Sequence, residues 1–218
     1  MSKRRKKKPR PPLPSNGEPP RRSARLILQT LEVARGHDGF LRGKPEPVLL
    51  VAAYRTNETQ PASLVGRLLL RAQIKSNMPC SVELGAREIR YDARFATSDR
   101  LLVLVFSVEE NAGEGVAALY ALFEKPAQLL IYNAGESVPS PLSLEEWAKR
   151  ECRAPSAHAI EVLRDGQSLE KLAESDQFIA ASAFSVGTHT RSNDDWRLPF
   201  VARDERNDWT LLARMRVD

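Results

Sequence analysis

Hydrophobic and polar positions alternate along most of the chain, and one continuous apolar run interrupts the alternation. From Leu101 to Val108, seven of eight residues are large hydrophobes, and Glu109-Glu110-Asn111 ends the run. An uncharged run of this kind, rich in Val and Leu, predicts a strand buried on both faces rather than one half open to water. The rest of the fold is read outward from it.

Upstream, Leu26 to Ala34 alternates as a first strand, with Leu26, Leu28, Leu31 and Val33 inward across a slight irregularity. A glycine-punctuated loop leads to a second strand, Pro47 to Tyr54. Leu64 to Ile74, with arginines at 67 and 71, is read as a strand closed by a turn at Asn77-Met-Pro79. Cys80 to Leu84 and Glu88 to Phe95 predict two short strands about a turn at Gly85.

Downstream, Val116, Leu119, Tyr120 and Phe123 share one face of a helix that Pro126 stops. Gln128 to Tyr132 is a buried strand. Ser143 and Glu146 have the Ser-x-x-Glu spacing of a capping box and start a short helix, whose Trp147 covers a sheet. Ala159 to Leu163 and Phe178 to Val186 are further strands, with a helical turn in Ser168 to Glu174 between them. Trp196 to Arg203 and Trp209 to Val217 form a terminal hairpin. The expected fold is mainly β: an antiparallel β sandwich of eight or nine strands with two or three short helices.

Composition adds a second part. Residues 1–25 hold ten of the 33 Lys and Arg, one acid (Glu18) and six of the 15 prolines, a net charge of +9. Residues 26–218 then carry 23 basic against 27 acidic side chains, or −4. The expected organisation is a disordered basic, Pro-rich tail over 1–25 and a sandwich domain over 26–218. A domain of that length buries about 70% of its unfolded surface.

The tail offers Lys3, Arg4, Arg5, Lys6, Lys7, Lys8, Arg10, Arg21 and Arg22 to an anionic surface. Beside an anionic membrane each such residue is worth about 1 kcal/mol. Beside nucleic acid each neutralised phosphate steepens the salt dependence. The residues do not choose between these surfaces, a nuclear-import signal and a solvated tail. The polar, Pro-rich sequence after Arg10 is no signal-peptide core, and no apolar run is long enough to cross a membrane. A cytoplasmic location is expected, with a nuclear or nucleoid-associated one open through the tail. Cys80 and Cys152 are read as reduced.

Catalytic motifs are absent from the sequence. There is no Gly-x-Ser-x-Gly elbow and no phosphate-cradling glycine loop. His37, His158 and His189 share no zinc-ligand spacing with one another or with the cysteines. A thiol- or carboxylate-dependent hydrolase using Cys80 or Cys152 with His158 or His189 stays open as an alternative, as does a cation site of Asp194, Asp195 and the acids from Asp204 to Asp208. Those acids equally suit turns, where Asp bonds to nearby amides.

The order of a Leu-rich strand, Asp38-Gly39, Gly43-Lys44-Pro45-Glu46-Pro47, a Val-rich strand and a later apolar strand ending in acids resembles the calcium- and phospholipid-binding domain family named after the second conserved region of protein kinase C. The resemblance covers about residues 26–125. It implies a calcium site in which Asp38, Glu46 and Glu109 stand at family ligand positions, with Glu114 as a further acid. Ser107 falls where the family carries an acid, so the ligand set is incomplete for an ion that takes six to eight oxygens. The resemblance implies a non-enzymatic module that meets a protein partner or an anionic membrane surface through its loops, assisted by the tail. A nucleic-acid-associated protein that binds through the tail is the alternative.

Overall fold

The computed structural model describes residues 21–36, 45–133, 140–151, 158–173, 176–188, 191–202 and 206–218. The chain is mainly β, with antiparallel strands in two facing sheets. In order, the described elements are β1 (Arg21–Arg35), β2 (Pro47–Thr56), β3 (Ser63–Arg71), β4 (Cys80–Arg94), β5 (Arg100–Glu109), helix α1 (Glu114–Leu122), β6 (Leu129–Asn133), β7 (Leu142–Ser143), helix α2 (Leu144–Glu151), β8 (His158–Arg164), β9 (Gln167–Ser168), β10 (Gln177–Gly187), β11 (Ser192–Val201) and β12 (Asp208–Val217). The smaller sheet runs β11-β12-β1-β4. The larger runs β3-β2-β5-β10-β8-β6-β7, with β9 beside β8.

The apolar run lies at the centre of the larger sheet, between β2 and β10. Every residue from Leu101 to Val108 is at most 2% exposed. Leu101, Val103 and Val105 face the smaller sheet, joining Leu28, Trp209 and Leu211 in the core between the sheets. Leu102, Leu104, Phe106 and Val108 face the other way, into a second core under the helices with Leu119, Phe123 and Trp147. The strand is apolar throughout because both its faces are covered. Each such side chain contributes about 1.5–3 kcal/mol by leaving water.

The helices form the third layer. The capping box is formed: the amide of Ser143 donates to Glu146 at 3.0 Å, and the amide of Glu146 donates to the Ser143 hydroxyl at 3.3 Å. Trp147 is 1% exposed in the second core. Helix α1 is pinned to the edge of the larger sheet by Arg67, whose guanidinium lies 4.3 Å from the Tyr120 ring centroid and 2.6 Å from Glu124.

Three sequence expectations are corrected. The first strand begins at Arg21, so Arg21 and Arg22 are paired with Arg94 and Ala93 of β4 rather than lying in a tail. Cys80 to Arg94 is one long edge strand, not two strands about a turn. The residues at Gly85 and Ala86 take positive φ (68° and 49°) as a bulge while pairing with β1 continues on both sides. The strands number twelve among the described residues rather than eight or nine, and two of them, β7 and β9, are two-residue ladders too short to show as alternation.

Candidate functional site

The two ends of the sandwich differ in charge, and the candidate residues divide between them. At the first end, the start of β2 meets the end of β5: Pro47 is opposite Glu109, and the Glu110 amide donates to the Glu46 carbonyl at 3.1 Å. The end of β1 and the start of β12 join them, since the Trp209 indole donates to the Arg35 carbonyl at 3.1 Å. Glu46 and Glu109 therefore lie at one end of the sandwich. Asp38 lies outside the described residues.

Four of the carboxylates at this end are turned to partners within the protein. Glu109 is 2% exposed and accepts from Asn207 at 3.1 Å. Glu110 takes the Arg71 guanidinium on both oxygens, each at 2.6 Å. Asp208 pairs with Arg35 at 3.3 Å. Asp176 accepts the amides of Asn111, Ala112, Gly113 and Val116 at 2.7–3.0 Å, closing the start of α1. Burial pushes its pKa up, but the four amides outweigh that and hold it at about 2. Ser107 is buried in the sheet, with no hydrogen-bond partner for its hydroxyl. Glu46 and Glu114 are exposed. Among the described residues, no three His, Cys, Asp or Glu side chains form a group able to hold a metal.

The acid clusters of the terminal hairpin do not meet. Val201 pairs with Asp208 at one end of the hairpin and Asp194 with Met215 at the other. Asp195 is held by Arg214 at 2.7 Å. Of the thiol and imidazole candidates, Cys80 is a half-buried free cysteine at the start of β4. Cys152, His37, His189 and the side chain of His158 lie outside the described residues.

The opposite end is rich in arginine. Arg21 is opposite Arg94, and Arg25 is opposite both Arg90 and Arg216 on the two neighbouring strands. Arg100 stands opposite Thr56 and Gly187, and Arg191 precedes β11. Arg25 and Arg216 share Asp218, at 2.8 and 2.5 Å, which keeps that carboxyl below its ordinary range. Asp99 is fully buried and bound to Arg55 at 2.6 Å and to the Ala96 amide at 2.7 Å, so it fixes the loop between β4 and β5. Arg21, Arg94 and Arg191 are exposed. Residues 1–20, with seven basic side chains and one acidic, connect to the body here, at Arg21. Lys3, Arg4, Arg5, Lys6, Lys7, Lys8 and Arg10 themselves lie outside the described residues.

Sequence reasoning named Arg21 and Arg22 but missed Arg94, Arg100 and Arg191. They are scattered along the chain, and only strand register gathers them. No family model matches the chain, and no curated protein matches it. Among the described residues, no helix is long and apolar enough to cross a membrane.

Proposed function

We propose that the protein is a non-enzymatic binding module that docks on an anionic membrane surface by the arginine-rich end of its sandwich, with the polybasic segment before Arg21 adding electrostatic affinity. The observation that carries this reading is the pairing of Arg21 with Arg94, on exposed positions, at the point where the basic segment joins the body. A polycation attached elsewhere would act alone. Attached here, it extends a cationic surface that the fold already presents, and the charges add within a Debye length of about 8–10 Å.

Cosedimentation with vesicles tests this directly. Phosphatidylcholine vesicles containing phosphatidylserine should retain the protein at low salt and release it as salt rises, and purely neutral vesicles should not retain it. Equal retention on both would overturn the reading. A duplex DNA arm, run at the same salt concentrations, decides the nucleic-acid alternative: binding there with none to the anionic vesicles would favour it.

A further inference from the structure

At the arginine-rich end, two guanidiniums enter the space between the sheets. Arg22 of β1 is in phase with Ala24, Leu26 and Leu28, which are buried in the core between the sheets, and the register with β4 is unbroken from Arg21 to Leu28. Its side chain therefore lies on the inner face of the smaller sheet. Arg55 of β2 is in phase with Val51 and Ala53 and opposite Leu101, all three in that same core, so it enters from the larger sheet. Both come to one stretch of β4. Arg22 is the cross-strand partner of Ala93, and Arg55 Nη2 reaches the Arg94 carbonyl at 3.5 Å, its guanidinium 5.9 Å from the Phe95 ring centroid. Arg22 is half-buried and the Arg55 side chain is 27% exposed, so the pair also opens to solvent. One carboxylate serves the two: Asp99 binds Arg55 at 2.6 Å, and Arg22 forms no ion pair among the described residues. Nε and Nη1 of Arg22 and Nε of Arg55 are closed off from water and meet no acceptor. A cation held partly out of water with such donors unmet is costly, and an anion offsets the cost.

We propose that Arg22 and Arg55 seat one phosphate group at this mouth between the sheets. The phosphate supplies the missing negative charge, and its several acceptor oxygens take donors arriving from two sheets, where a planar carboxylate offers only two oxygens. Arginine suits the task because its fork binds phosphate through two nitrogens at once. The proposal rests on the membrane reading for the source of the phosphate, a lipid headgroup at the surface on which this end docks. A free phosphate has the same chemistry. Arg21 and Arg94 are out of phase with Arg22 and lie on the outer face of the smaller sheet, so the seat is separate from the exposed pair that carries the membrane reading.

The test uses the full chain at constant ionic strength, with melting followed by differential scanning fluorimetry. Inorganic phosphate and glycerophosphoserine, a headgroup without its acyl chains, should each raise the melting temperature above its value in chloride, and acetate should not. Arg22→Met should melt no lower than the unaltered chain in chloride, because it removes an unpaired charge, and should lose the rise with both probes. Its affinity for phosphatidylserine vesicles should fall about tenfold or more. Arg22→Lys, which keeps the charge and loses the fork, should keep only part of the rise. An equal rise in acetate, a rise that survives Arg22→Met or no rise with either probe overturns the seat, while retention on phosphatidylserine vesicles would leave the membrane reading standing. A rise undiminished in Arg22→Lys also overturns it, even where Arg22→Met does not fold. A rise that needs Arg22, in a chain those vesicles do not retain, upholds the seat for free phosphate and overturns the membrane reading.

Discussion

The side-chain amide of Asn207 donates to the carboxylate of Glu109 at 3.1 Å, and both residues are at most 2% exposed. Asn207 precedes β12 of the smaller sheet and Glu109 ends β5 of the larger, so the bond ties the two sheets together at their acidic end. Glu109, which the family resemblance makes a metal ligand, is here a structural group. Asn207→Ala leaves the buried carboxylate short of a donor and should destabilise the fold by about 1–3 kcal/mol, read from urea unfolding.

Calcium should therefore leave the melting temperature unchanged at millimolar concentration. Glu109 and Glu110 are engaged by Asn207 and Arg71, and Ser107 supplies no charge. A ligand that binds only the folded state must raise apparent stability, so a calcium-dependent rise in differential scanning fluorimetry would show that the acids of this end assemble around the ion after all.

Asp176 should make the fold acid-sensitive. Its carboxyl is lowered from an ordinary 3.8 to about 2, so the charged form is favoured by folding. The sign follows: its contribution, about 2 kcal/mol, is fully present above pH ~4 and is lost as pH falls through about 2. Asp176→Asn should lose about that much at neutral pH, and the gap from the unaltered protein should close between pH ~4 and ~2. Urea unfolding across that range measures it.

Gly115 should tolerate no side chain. A Cβ there would overlap the backbone carbonyl of Ala173, which packs against the first turn of α1. Gly115→Ala should cost at least about 1–3 kcal/mol through overpacking, although alanine is the better helix former. A melt equal to or higher than that of the unaltered protein would show that the contact gives way.

Much of the fold was legible because its signals are local. The apolar run announced a strand covered on both faces. The alternation in β1 carried its own irregularity, and the register indeed shifts between Leu28 and Thr30 while Leu26, Leu28, Leu31 and Val33 stay buried. Ser143 and Glu146 spelled a cap that needs nothing beyond its own turn. Gly85 misled, because a positive-φ bulge and a turn ask for the same residue, and only the partner strand distinguishes them. The sites were less legible. Asp176 closes a helix more than sixty residues earlier in the chain, and the pairing of Arg21 with Arg94 is a fact of register. Neither leaves a pattern within one stretch of sequence.

The body, and not only the basic segment, should meet the anionic surface. The most direct test is the affinity of Arg21→Glu/Arg94→Glu for phosphatidylserine-containing vesicles with residues 1–20 retained, beside the unaltered chain and a chain beginning at Arg21. The double variant should lose about tenfold or more in affinity while still folded by circular dichroism, with a further loss when residues 1–20 are removed. Unaltered affinity in the double variant, with all binding lost on removing residues 1–20, would contradict it.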